Sequence, residues 1–108
     1  MERDKTYVLH ILDEIGAIER FVTSMSFEEF VADLKTTKAV ERSLEIIGEA
    51  AKNLSEAFCM QEPKVPWRDI AGIRDKIIHH YFDVDHAIVW DVIKNDLPGL
   101  KTVLEKHT

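Results

Sequence analysis

Arg74, Asp75, His79 and Tyr81 fall in one stretch, RDKIIHHYFDVD, Arg74 to Asp85, and their types suit work on a phosphate. A guanidinium is permanently charged and forked, so it can grip two phosphate oxygens. An imidazole titrates near neutrality and can take or give a proton. A carboxylate one helical turn before the imidazole can hold and polarise it. Each residue also has a plain reading. Arg74 can lay its stem on apolar surface and pair with Glu41 or Glu49. His79 or His80 can be a surface or cap residue, and Tyr81 a core aromatic with a bonded hydroxyl. Asp83 and Asp85 suit a loop and a cap. His79, His80, Asp83, Asp85 and His86 are also metal-ligand types. Adjacent histidines on a helix diverge by about 100°, which suits joint ligation poorly, so no metal is expected.

The spacing predicts that one helix carries these residues from Ile70 to Tyr81. On it, Ile70, Ile73, Ile77, Ile78 and Tyr81 span an arc of roughly 140°. Arg74 falls inside that arc, where a charge needs a partner. His79 falls on the far side, beside Asp75. On a straight helix Arg74 and His79 point about 140° apart. Their tips meet only if the helix distorts near His79, if Arg74 curls round, or if two subunits share each site; sharing is the expectation favoured here.

The rest of the chain is also read as helical. Val8, Ile11, Ile15, Ile18 and Val22 recur at steps of three and four. Ser26 and Glu29 form a capping-box pattern opening a short helix to about Leu34. Val40, Leu44, Ile47, Ala51, Leu54 and Phe58 make the next stripe. Gly48 inside it costs about 1 kcal/mol against Ala, which points to close approach of another helix. EPKVPW, with two prolines, reads as a loop. Asp85 is a plausible N-cap for a last helix carrying Val89, Val92, Ile93 and Leu97, which Pro98 should break or kink. No run alternates as a strand would. The expectation is an all-α bundle of four or five largely antiparallel helices.

The chain has 108 residues, 45% hydrophobic and 31% charged, which suits a single globular domain over 1–108. Its one cysteine, Cys59, excludes an internal disulfide and fits a reducing, cytoplasmic home. No stretch approaches the apolar length of a membrane span, and the N-terminus does not read as a signal peptide. The net charge of −6 argues against a protein that coats nucleic acid. A local basic site is still available, because Lys64, Arg68, Arg74, Lys76, His79 and His80 crowd one region.

RDKIIHHY resembles the R-x4-H-x-Y motif of the HepT-like toxins in the HEPN superfamily. Arg74, His79 and Tyr81 fill its three named positions, and Asp75 is the polar residue that follows the arginine. AVERSLEIIGEAAKNL, VPWRDIAGIRDKIIHHYF and VDHAIVWDVIKNDLPGL are similar to stretches of that family in the same order. The resemblance implies a helical homodimer with the Arg–His motifs near a cleft between subunits. It implies a metal-independent endoribonuclease, with no cofactor, that cuts RNA through the 2′-hydroxyl. Arg74 and His79 would be catalytic and Asp75 supporting. It also implies the toxin of a type VII-like toxin–antitoxin pair, silenced when a minimal nucleotidyltransferase antitoxin adenylylates Tyr81. Some HEPN domains instead serve as non-catalytic partners of nucleotidyltransferases, and the acidic net charge suits that alternative. A third reading makes the motif purely structural, with Arg74 satisfied inside the dimer.

Overall fold

The computed structural model describes residues 2–80 and 83–108, with His79 and His80 described by their backbone. Helix α1 (Glu2–Phe21) turns its periodic stripe, Val8, Ile11, Ile15 and Ile18, completely inward. Helix α2 (Phe27–Ala32) starts at the capping box read from the sequence. Ser26 Oγ accepts from Glu29 N–H, and Glu29 Oε1 accepts from Ser26 N–H at 2.9 Å. The short helix stops sooner than expected. Asp33 terminates α2 and its carboxylate caps the next helix, α3 (Leu34–Lys52), by accepting from Thr36 N–H.

The long stripe from Val40 to Phe58 is broken, against expectation. α3 ends at Lys52, and Phe58 belongs to a separate helix α4 (Glu56–Gln61) capped by Ser55. The break is held by Asp4 of α1, whose carboxylate accepts from Ser55 N–H and Ser55 Oγ–H, both at 2.7 Å. These bonds tie the start of α1 to the end of α3, so the two helices run antiparallel. They also hold the Asp4 carboxyl below its ordinary value. A depressed carboxyl pKa stabilises the fold above the unfolded value, 3.8, and that contribution is lost as pH falls through the lower folded value. Asp4→Asn should therefore lower stability at neutral pH by about 2 kcal/mol. It should also flatten the acid limb of a denaturation series run from neutral pH downward. An acid limb as steep as wild type would show that other groups carry it.

After the Pro-containing loop, which is closed by Trp67 Nε1–H donating to the Glu62 carbonyl at 3.1 Å, come α5 (Trp67–Ala71) and α6 (Ile73–Ile77). They lie against α3 at Gly48. A Cβ there would stand 3.2 Å from Ile73 Cγ2, 3.3 Å from the Ala71 carbonyl and 3.4 Å from the Ile70 carbonyl, so the glycine marks the close approach that its spacing suggested. Gly48→Ala gains about 1 kcal/mol of helix propensity but pushes on two backbone carbonyls, and overpacking costs about 1–3 kcal/mol. Denaturant unfolding should show a net loss of about 1 kcal/mol; a gain would mean the contact is loose.

Two short antiparallel strands, β1 (Ile78–His80) and β2 (Asp83–Val84), follow, where the sequence pattern suggested no strand. Asp85 then caps α7 (His86–Asp91) through Ile88 N–H. Phe27 and Phe30 of α2 pack against Trp90, and Phe30 against His86. Phe30 is fully buried, a contribution of about 2–3 kcal/mol, and this cluster anchors the return from the strands. Pro98 does not end the last helix. The turn before it widens into a π segment (Val92–Asp96), with Leu97 N–H donating to the Val92 carbonyl, and Pro98 sits in the first turn of α8 (Leu97–Glu105). The wider turn relieves the clash between the proline ring and the carbonyl four residues back. One buried cluster runs through α1, α3, α6, α7, the π segment and α8. The all-α bundle expected from the periodicity is the architecture found. No helix among the described residues is long and apolar enough to cross a membrane.

Candidate active site

The single helix expected from Ile70 to Tyr81 is not there. Gly72 ends α5 and opens α6, and α6 stops at Ile77. Because α6 ends at Ile77, Ile78 leaves the helix, and the wheel that placed Arg74 between Tyr81 and Ile78 does not apply. Ile73 and Ile77 are buried, whereas Arg74, Asp75 and Lys76 are exposed. Ile78 is already extended, with φ −105° and ψ 115°. The carbonyl of Ile77, an orphan at a helix end, accepts from Asp85 N–H at 2.7 Å. A run of β-branched isoleucines and histidines has little helix propensity with which to resist that pull.

His79 therefore stands on an extended strand, off the helix that carries Arg74 and Asp75. The strand is bulged at this residue. Ile78 pairs with Val84 and His80 with Asp83, so one extra residue, His79, lies between two ladder positions. A bulge bends its strand and changes where side chains leave it, and bulges gather beside active sites. The straight-helix geometry that favoured a site shared between two subunits does not hold, because the helix ends before His79. Tyr81 lies outside the described residues, as do the side chains of His79 and His80.

Arg74 and Asp75 open onto a polar depression of about 310 Å³ between α6 and α3. Arg42, Glu45, Glu49 and Lys52 form its opposite wall, and Gly48, Ala71 and Gly72 leave its floor bare of long side chains. Arg42 pairs with Glu45 at 3.5 Å and Lys52 with Glu49 at 3.4 Å. Arg74 has no ion pair among the described residues, so neither Glu41 nor Glu49 satisfies it as a structural arginine would require. The basic residues crowded in the sequence do not form one patch. Lys64 and Lys76 line a different, mostly apolar depression of about 410 Å³ against the π segment and α8, where Lys76 meets Asp96 at 4.0 Å. Of the proposed metal-ligand types, Asp85 spends its carboxylate on the α7 cap. Among the described residues no three acidic, histidine or cysteine side chains gather to hold a metal.

Of Arg42, Glu45, Glu49 and Lys52, only Glu49 was picked out from the sequence, and then as a structural partner for Arg74. Their signal was there: steps of three, four and three put them on one face of α3, flanking the glycine that receives α5 and α6.

A model of the ribonuclease HepT-like family matches residues 11–107. The Probable ribonuclease HepT of Thermococcus cleftensis is 47% identical over 102 residues, covering 94% of this chain and 93% of the relative. A Caldanaerobacter subterraneus subsp. tengcongensis protein named "Putative RNase" is 46% identical over 111 residues, covering 99% of each. Another of that description from Methanocaldococcus jannaschii is 48% identical over 95 residues, covering 88% of this chain and 78% of the relative. No solved structure matches the chain.

Proposed function

The chain belongs to the ribonuclease HepT-like family, and from that membership we propose that it is an endoribonuclease that cuts RNA without a metal, with Arg74 and His79 as its catalytic pair. The observation that carries this reading is Arg74 itself: exposed, with no ion pair among the described residues, at the lip of a polar depression, five residues before a histidine that sits on a bulge. In the proposed reaction the ribose 2′-hydroxyl loses its proton and attacks the adjacent phosphorus. The 5′-oxygen leaves and takes up a proton, giving a 2′,3′-cyclic phosphate and a 5′-hydroxyl end. His79 handles one of these protons. Arg74 holds the phosphate oxygens, whose charge grows in the transition state. Asp75, beside Arg74 on α6, supports the pair.

The same reading makes the chain a toxin acting in the cytoplasm as a homodimer, opposed by a nucleotidyltransferase antitoxin. In the silencing step Tyr81 Oη attacks the α-phosphorus of ATP, pyrophosphate leaves, the phenol proton passes to solvent or a base, and AMP stays on the ring. A partner-binding module without activity is the competing reading, favoured by the net charge of −6. Purified protein incubated with RNA in EDTA decides between them. Cleavage with cyclic phosphate ends is the expected result. A requirement for a divalent ion would sink the mechanism, and no cleavage under any condition would leave the binding module.

A further inference from the structure

The depression at Arg74 does not end at α3. A second one, of about 200 Å³, lies between α3 and α1 and is lined by Tyr7, His10 and Asn53 together with Arg42 and Glu49. Arg42 and Glu49 are thus the shared wall of both. The two lie on either side of that wall, as a divided trough that runs from Arg74 on α6, past Arg42 and Glu49 of α3, to Tyr7 on α1. We propose that this trough seats the single strand of RNA beside the cut bond, with a base stacked on Tyr7 and a phosphate held by Arg42. The proposal rests on the ribonuclease reading of Arg74.

Size, charge and ring geometry all support it. Packed helices lie about 8–10 Å apart, so a path from α6 over α3 to α1 covers on the order of 20 Å, room for several nucleotides at roughly 3.4 Å per stacked step. Arg74, Lys52 and Arg42 line the path and Arg3 lies over its far end. They face the carboxylates Glu45, Glu49 and Asp75. Three lining cations against three lining carboxylates make the path neutral in a chain of net charge −6. The acids do not lock the cations away. The Arg42–Glu45 pair is long, at 3.5 Å, and the Arg42 side chain is 71% exposed. Such pairs are worth little and exchange readily for a phosphate.

At the end of the trough Tyr7 is half-buried and held by its neighbours. His10 meets it edge-on, with ring centroids 6.0 Å apart and planes at 86°, and the Arg3 guanidinium lies 6.0 Å from its centroid. An aromatic fixed in this way is a platform on which any base can stack, and the nearby arginine adds a cation–π contact. Exposed cations along a groove, followed by an aromatic platform, bind single strands without sequence preference.

The test measures binding of a short, dye-labelled single-stranded RNA by fluorescence anisotropy, using His79→Ala protein so that the RNA stays whole. Tyr7→Ala in that background should weaken binding about tenfold, and Tyr7→Phe, which keeps the ring, should recover most of it. Arg42→Ala, at an exposed position, should weaken binding and lower the slope of log affinity against log salt by about one. Unchanged affinity and slope in both Tyr7→Ala and Arg42→Ala, in protein that still binds RNA, would overturn the path while leaving the ribonuclease standing. So would a Tyr7→Ala protein that loses its dimer by sedimentation but whose remaining dimers bind RNA normally, since the face would then belong to a second copy. Wild-type protein that neither binds nor cuts RNA would instead fail the reading on which the path rests.

Discussion

Arg74→Ala is expected to lower kcat/KM for RNA about a thousandfold while leaving stability within about 0.5 kcal/mol of wild type. The two halves of that result have different sources. The loss of rate follows from removing the fork that holds two phosphate oxygens as their charge rises, a contribution of about 3–4 kcal/mol where such groups have been deleted. Retained stability follows from the exposure of Arg74 and its lack of an ion pair among the described residues. A structural arginine would behave in the opposite way, with little change in rate and a change in melting. Arg74→Lys separates charge from geometry, because an ammonium keeps the charge and loses the fork; it should recover only a small part of the rate. His79→Ala should fall as far as Arg74→Ala. Mixing the two single variants into heterodimers then reports whether one chain holds a whole site. With Arg74 on α6 and His79 on the strand that leaves it, each chain is expected to carry its own pair, and the mixed dimer should stay inactive. Recovery of activity would mean that Arg74 of one subunit works with the histidine of the other. Equal activity of Arg74→Ala and wild type would refute a catalytic role for the arginine.

What the sequence made legible, and what it hid, divides along local and non-local causes. The capping box at Ser26, the Asp85 cap, the buried stripe of α1 and the tight approach at Gly48 are each settled within one helical turn or by one missing side chain. Pattern reading found all four. The end of α6 at Ile77 is set instead by Asp85 N–H, which reaches back to the Ile77 carbonyl from beyond the strands. Periodicity cannot register a hydrogen bond of that kind, and four isoleucines at helical spacing carried the expected helix past its real end. Once α6 ends at Ile77, Ile78 no longer closes the apolar arc around Arg74, which is why Arg74 was expected in an apolar stripe and is found in solvent. The residue types were informative even so. Arg74, Asp75 and His79 were singled out for what their groups can do, and that choice did not depend on the helix being straight. The wall opposite them was missed because a row of surface charges on α3 reads as ordinary solvation until α6 is seen to face it.

Tyr81→Phe is expected to free the protein from the proposed antitoxin. Co-expressed with a minimal nucleotidyltransferase of the proposed antitoxin class, the wild-type chain should gain the mass of one or more AMP units and lose its ribonuclease activity at least a hundredfold. The Phe variant should gain none at this position and stay active. The reason is electrostatic and steric at once. A tyrosine two residues after the proposed catalytic histidine, once esterified, carries a phosphodiester charge and a bulky nucleoside. Substrate phosphate must come to the same neighbourhood, so the modification sets like charge against like where Arg74 would otherwise have the phosphate to itself. Part of the block should therefore weaken as salt screens the repulsion, over a Debye length of about 8–10 Å near physiological ionic strength. The steric part should not. Assaying adenylylated protein across a salt series separates the two: a partial return of activity relative to the unmodified chain supports repulsion, and a flat response means that bulk alone closes the site. If the modified protein cuts RNA as fast as the unmodified one, Tyr81 is not the switch. If Tyr81→Phe is silenced by the partner as fully as wild type, the antitoxin acts by binding or at another residue.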